Sequence, residues 1–368
     1  MIRNRIPGLI CVAVLCGILI LGLWPFQRPR NEVSWLGVEN GLRFGGYGVM
    51  VSSGTFQVEG SQEEASCSLE IWLQPELVND SNTFVAFSTS ENPLQISLHQ
   101  YFSNVILKRE ITSGHTRTEV IGIEGVFRQL RPRFLTITSG TEGTEMYVDG
   151  TLVRAFPGFR LGKDFTGQLV IGTSPVRPDG WPGQLRGLAI YDLELTASQV
   201  ARHYITWTTR GAPELVGNEH VAALYLFNEH TGNIVHNAAH PGIDLYIPER
   251  FSLLHQTFLK PFWKEFKPKW SYISDTLMNI VGFIPLGFVF YGYWTLARPI
   301  KSAAVTTVFW GLAVSLTIEI LQSYLPTRSS GTTDLFTNTF GTFLGVRLYG
   351  LRVFQSLLAR VYGSALTS

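Results

Sequence analysis

The sequence predicts a two-part protein: an all-β sandwich of jelly-roll type, and an α-helical bundle of about four transmembrane helices. Two observations divide it. Charged residues make up only 15% of the 368 residues, against about 25% in an average soluble protein. The apolar residues are also unevenly spread. They gather in one run near the N-terminus and three near the C-terminus, while the long middle alternates apolar and polar residues. The parts read as an N-terminal span (1–27), a sandwich (28–248), an interfacial linker (249–270) and a three-helix membrane region (271–368).

The first span covers residues 6–26. It carries no charge and is long enough to cross roughly 30 Å of hydrocarbon. Arg3 and Arg5 precede it and Trp24 lies near its far end, where an interfacial anchor is expected. No small-x-small cleavage site follows, so an uncleaved anchor is expected. Cys16 follows Leu15, where a lipoprotein signal needs a small residue. Cys11, Cys16 and Cys67 offer no disulfide framework and no CxxC pair.

The middle segment changes character. Runs such as "CSLEIWLQP", "TFVAFSTS", "LQISLHQY", "RFLTITSG", "GQLVIGTS" and "AALYLFNE" alternate with period two and are punctuated by Gly, Pro and Asp. This is the pattern of short strands in a sandwich. Asp149-Gly150 suits the positive φ angles of a tight hairpin turn. "LTASQVARHY" reads as one short helix with Thr196 as its N-cap.

The linker "LLHQTFLKPFWKEFKPKW" (253–270) interleaves Phe258, Phe262, Trp263, Phe266 and Trp270 with Lys260, Lys264, Lys267 and Lys269. Rings that face lipid and amines that face headgroups suit the membrane interface. Pro261 and Pro268 would interrupt a long helix. Three apolar segments follow, at 276–297, 302–325 and 335–346. The second holds one charge, Glu319, and Arg347 follows the third, where it can snorkel.

Charge sets the orientation. An N-terminus inside the cell places Arg3, Arg5, Arg298, Lys301, Arg352 and Arg360 inside, with Arg347 near that boundary and Arg328 outside. This agrees with the positive-inside tendency. Arg28, Arg30 and the four linker lysines oppose it, but long domains translocate largely regardless of charge. The sandwich is then extracytoplasmic. The net charge of +1 gives no footprint for nucleic acid.

The polar residues of the membrane region repeat a spacing. "DTLMNIVGF" (275–283) and "DLFTNTFGT" (334–342) share Asp, three residues, Asn, two residues, Gly. Asp275 and Asn279 share one helix face, as do Asp334 and Asn338; Glu319 and Gln322 are three apart. In the expected topology all of these reach one membrane face and frame a polar site. Each also has a plainer role. The two Asp residues can cap helix N-termini. The two Asn residues can join helices, and Gly282, Gly341 and Gly345 can permit close packing. Glu319 is harder to place, because a membrane charge costs about 2.5–3.5 kcal/mol on insertion scales. Arg328 is the nearest candidate partner.

At these residues the chain resembles two known families. "SLEIWLQP" (68–75), "FLTITSGTEGTEMYVDGTLV" (134–153), "LVIGTS" (169–174) and "GQLRGLAIYDLELTASQV" (183–200) resemble laminin-G-like members of the concanavalin A-like lectin/glucanase superfamily. Such domains often bind glycans or proteins, and calcium is the ion that some of them hold. Asp149 is better explained here by its turn and Asp192 by the loop before the helix, so no metal residues are assigned and no cofactor is expected beyond that calcium. "DTLMNIVGFIPLGF" (275–288) and "SLTIEILQSYLPTRSSGTTDLFTNTFGTFLG" (315–345) resemble the VanZ-like membrane proteins. The shared motif falls on Asn279, Pro285, Gly287, Glu319, Gln322, Arg328, Asp334, Asn338 and Gly341. "LWPF" (23–26) resembles that family's opening helix, which makes the sandwich an insertion. The resemblance implies a multi-pass protein of the bacterial cytoplasmic membrane, in a family whose founding member is associated with teicoplanin resistance. It carries over no catalytic residues.

Three readings follow. The first is a non-enzymatic envelope protein that recognises a membrane lipid or a lipid-linked or cell-wall glycan. The second is a membrane-embedded enzyme using Glu319 and Asp334 as acid and base; no activated Ser or Cys and no HExxH is legible. The third is a small oligomeric transporter or flippase built on the repeated helices. The first is preferred, and the oligomeric state is not legible.

Overall fold

The computed structural model describes residues 6–351, apart from 58–65, 114, 217–218, 240, 257 and 267–269. Arg3, Arg5, Lys267, Pro268, Lys269, Arg352 and Arg360, and the side chain of Lys264, lie outside the described residues. The chain divides into two units. One joins Met1–Arg28 to Gln256–Ser368, and the other is Pro29–His255.

Helix α1 (Ile6–Leu23) opens the first unit. Pro7 sits in its first turn, where a missing N–H is harmless, and Pro25 lies past its end.

The second unit holds sixteen strands among the described residues: β1 (Val33–Trp35), β2 (Leu42–Phe44), β3 (Met50–Phe56), β4 (Cys67–Pro75), β5 (Ser81–Ser88), β6 (Ile96–Tyr101), β7 (Asn104–Ser113), β8 (His115–Ile123), β9 (Arg133–Gly140), β10 (Gly143–Val148), β11 (Thr151–Phe156), β12 (Gly167–Ile171), β13 (Gly183–Tyr191), β14 (Val221–Tyr225), β15 (Ile234–Val235) and β16 (Leu245–Tyr246). One sheet runs β1-β2-β13-β4-β9-β10-β11, with β14 also paired to β13. The other runs β15-β16-β3-β12-β5-β6-β7-β8. Alternation places Leu69, Ile71 and Leu73 of β4 and Leu98 of β6 in the core between the sheets. The hairpin β10–β11 turns on Asp149 and Gly150, at φ 51° and 76°, as their sequence predicts. Helix α2 (Ala197–Arg210) begins with a capping box in which Thr196 and Gln199 satisfy each other's backbone.

Glu70 points away from the sandwich core and is wholly buried. It accepts hydrogen bonds from Tyr191 Oη (2.7 Å) and Trp207 Nε1 (3.1 Å) and meets His203 Nδ1 at 3.0 Å. His203 Nε2 faces Glu219 at 3.1 Å. A buried imidazole between two carboxylates thus ties α2 to β4.

Back in the first unit lie α3 (Phe262–Glu265), α4 (Trp270–Gly292), which continues as a π-helical turn (Tyr293–Ala297), α5 (Ala303–Gln322) and α6 (Thr332–Tyr349). Residues Tyr272–Ala297 and Ala303–Gln322 are long and apolar enough to cross a membrane, and Pro7–Leu23 is a shorter apolar helix. Helix α6 is rich in threonine. Thr337, Thr339 and Thr342 return their hydroxyls to carbonyls one turn back, at 2.7–3.0 Å, so the helix satisfies its own polar groups. It packs against α4 through glycine. A Cβ at Gly341 would fall on the Ile280 carbonyl oxygen, one at Gly345 on that of Ile284, and one at Gly287 on that of Thr342. Gly282 departs from expectation: it faces open space, with nothing near its Cβ position. Pro285 lies on the exposed side of α4.

Candidate functional site at the start of the last helix

Helix α6 begins at Thr332 with Gly331 as its N-cap, and Gly331 has no side chain to serve the first amides. Carboxylates from elsewhere in the chain serve them. Glu319 of α5 is buried, 1% exposed, and accepts the Gly331 N–H at 2.8 Å and the Ser330 hydroxyl. Glu265 at the end of α3 accepts both the N–H (3.0 Å) and the hydroxyl (2.5 Å) of Thr333. A Cβ at Gly331 would collide with the Glu265 carboxylate, so only glycine allows this approach. The two acids meet the orphan amides and the positive end of the helix dipole.

Asp334 is not the N-cap that its position suggests. It lies inside the first turn and accepts the Asn279 side-chain N–H at 2.7 Å. Asp275 is not a cap either. Helix α4 starts earlier, at Trp270, which leaves Asp275 exposed in the second turn. Asp334 lies within electrostatic reach of both Glu265 and Asp275, and Glu319 within reach of Asp334 and Glu265.

The expected Glu319–Arg328 pair does not form. Arg328 donates from Nε to the Trp24 carbonyl at 3.1 Å, and also from Nη2. Gln322 donates to the Gly22 carbonyl at 2.8 Å. Both residues thus satisfy the last carbonyls of α1, which a helix end leaves without partners. The site therefore unites Glu319, Asp334 and Asn279, while Gln322 and Arg328 clamp α1. One turn deeper, Asn338 donates to Ser315 at 3.0 Å. The side-chain oxygens of both Asn338 and Gln322 are buried without a donor among the described residues.

A strap crosses this region. Gln256 donates to the carbonyl of Leu325 at 2.6 Å and to those of Gln322 and Arg328 at 3.3 Å. Lys260 and Gly331 form a parallel bridge, with Lys260 N–H on Ser330 (3.0 Å) and Thr332 N–H on Lys260 (2.9 Å). The strap delivers Glu265, which sequence reasoning missed among the lysines and rings. Phe258, Phe262, Trp263, Phe266 and Trp270 on this stretch are all exposed.

The sandwich holds another chain of polar contacts that sequence reasoning missed. Ser97 Oγ lies 2.8 Å from His99 Nε2, His99 Nδ1 lies 3.1 Å from Thr83 Oγ1, and Thr83 donates to Asp179 at 2.9 Å. Burial, and then Lys108 and Arg177, lower the His99 pKa to about 3. Ser97 is only 3% exposed. Asp149 holds its turn, accepting the Phe134 N–H at 3.0 Å and pairing with Arg133 at 2.5 Å. Among the described residues no group of three or more His, Cys, Asp or Glu is placed to hold a metal.

The profile of the VanZ/LLP1 family matches residues 221–354, the stretch that contains this site. The C-terminal region is VanZ-like. Protein VanZ of Enterococcus faecium is 38% identical over 78 residues, which cover 21% of this chain and 45% of VanZ. The chain thus spans less than half the length of that relative. The VanZ-like match begins in β14, within the second unit, before the helices do. A second profile, that of the concanavalin A-like lectin/glucanases superfamily, matches residues 48–201 of the sandwich. Among solved structures, the receptor-binding domain of botulinum neurotoxin C/D mosaic serotype is loosely similar (TM-score 0.39, 14% identity, 62% of this chain and 59% of that one). So is the binding domain of botulinum neurotoxin DC in complex with SialylT (TM-score 0.37, 14% identity, 48% and 45%).

Proposed function

We infer that this is a multi-pass protein of the bacterial cytoplasmic membrane. Its VanZ-like unit recognises a lipid or lipid-linked glycan whose head group donates hydrogen bonds, and its sandwich binds a glycan or protein on the extracytoplasmic side. One observation carries the membrane half of this reading: the start of α6 has a surplus of acceptors. Glu265, Glu319 and Asp334 bond amide or hydroxyl donors, and among the described residues none pairs with a cation. Each keeps acceptor capacity, because a carboxylate offers about four lone-pair sites and no donor. The orphan oxygen of Asn338, one turn deeper, adds to the surplus. Such a surface suits hydroxyls or an amine. It does not suit a bare phosphate, since Arg328 is committed to the end of α1. The exposed rings of 258–270 beside the strap support an interfacial setting. A role in glycopeptide tolerance, as for the VanZ family, fits recognition of envelope glycans.

The test is lipid binding by the full chain in nanodiscs. Phosphatidylglycerol, phosphatidylethanolamine and a lipid-linked disaccharide are compared by native mass spectrometry. The disaccharide or the amine lipid is expected to be retained over phosphatidylglycerol, and Glu319→Gln with Asp334→Asn is expected to remove the preference. Equal retention of all three, unchanged in the double variant, would overturn the reading.

A further inference from the structure

The sandwich carries a cleft of about 210 Å³ where the C-terminal part of α2 stands over β4, β9 and the β10–β11 turn. We propose that this cleft binds one pyranose ring of a glycan, with Trp72 and Tyr204 as its aromatic walls. The proposal rests on the reading of the sandwich as a glycan-binding module and gives that module a site.

The chemistry of the lining selects the ligand. Trp72 and Tyr204 are half-buried, and Phe134 beneath them is buried. Tyr204 packs on Phe134 with ring centroids 6.0 Å apart, and the Arg186 guanidinium lies 5.7 Å from the Trp72 ring centre. These contacts hold both rings in place. The rings wall a cleft whose accessible lining is mainly polar, so hydrogen bonds to sugar hydroxyls supply most of the contact. The rim supplies Arg131, Asp149 and Thr208. Arg131 is exposed and its guanidinium has no partner among the described residues. Asp149 accepts from the Phe134 N–H and from Arg133, and its remaining lone pairs can accept from hydroxyls. Arg133 neutralises Asp149, and Arg131 adds N–H donors, so the rim holds both donors and acceptors. It matches the paired donors and acceptors of vicinal hydroxyls. The volume is below the roughly 300–1,000 Å³ of pockets that engulf drug-sized ligands, so the cleft grips one ring of a longer chain.

The test is saturation-transfer NMR on the full chain in detergent micelles. The probes are the methyl pyranosides of glucose, galactose, mannose and N-acetylglucosamine. Transfer to at least one is expected. Tyr204→Ala is expected to weaken it more than tenfold. So is Thr208→Arg, a plug placed on an exposed helix position that leaves the core intact. All variants are read in the Glu319→Gln, Asp334→Asn background, so that sugar contacts at the start of α6 do not contribute. Thermal melting of each variant checks that the sandwich is folded. Binding that survives in both folded cleft variants would overturn the cleft and leave the glycan module standing. No transfer to any pyranoside would overturn both.

Discussion

Asn279 of α4 donates to Asp334 of α6 over 2.7 Å, joining the two helices that carry the same Asp-x-x-x-Asn-x-x-Gly spacing. The first motif contributes its amide and the second its acid. Interhelical bonds of this kind contribute about 0.6–2 kcal/mol in membranes. A double-mutant cycle on Asn279→Ala and Asp334→Ala, read by unfolding in mixed micelles, should show coupling within that range. Additive effects would show that the bond contributes nothing.

Close packing of α4 on α6 makes a second prediction. Gly341→Ala and Gly345→Ala should destabilise the unit by more than 1 kcal/mol, since each Cβ would land on a backbone carbonyl oxygen. Gly282→Ala should be neutral or slightly stabilising, because its site is open and alanine favours helix by up to about 1 kcal/mol. Equal effects at all three positions would contradict the packing described.

Two histidines of the sandwich should respond to pH with opposite sign. At His203 burial pulls the pKa down, but hydrogen bonds and charges from Glu70 and Glu219 outweigh it and leave it raised. Its contribution is therefore complete below the unfolded value of about 6.5 and fades as pH rises through the folded value. At His99 burial, with Lys108 and Arg177, lowers the pKa to about 3. Its contribution is present above about pH 6.5 and is lost as pH falls toward 3. Melting temperatures across pH should show the gap between wild type and His203→Gln shrinking on the alkaline side. The gap for His99→Gln should shrink on the acid side. Parallel curves would refute the assignment.

Sidedness can be measured by labelling single cysteines with an impermeant reagent in intact cells. Cys11, Cys16 and Cys67 are replaced first. Thr209, Ser302 and Ser329 are exposed and suit the probe. The proposed topology has Thr209 and Ser329 labelled and Ser302 protected; the reverse pattern would place the α6 site on the cytoplasmic side.

Local chemistry was legible where one residue determines it. Asp149-Gly150 announces its hairpin and Thr196 its helix start, and β4 and β9 span the same residues as the runs "CSLEIWLQP" and "RFLTITSG". The hairpin β7–β8 was missed because Lys108, Arg109 and Glu110 interrupt its apolar pattern. The site was legible in its members and less so in its wiring. The sequence pairs Glu319 with its nearest cation, Arg328, since the carbonyl that takes Arg328 lies 304 positions away in the chain. Glu265 is hidden by neighbouring lysines and rings, and the strap with its bridge between Lys260 and Gly331 brings it to α6.

The clamp on the end of α1 has a consequence for synthesis. Residues Pro29–His255 lie between that helix and the side chains that complete it. At about 5–20 residues per second, the ribosome needs some tens of seconds to reach Gln322 and Arg328 after Trp24 emerges. Throughout that interval the carbonyls of Gly22 and Trp24 wait for their donors, so a nascent chain stalled within the sandwich would display an unfinished helix to the quality-control machinery of the membrane.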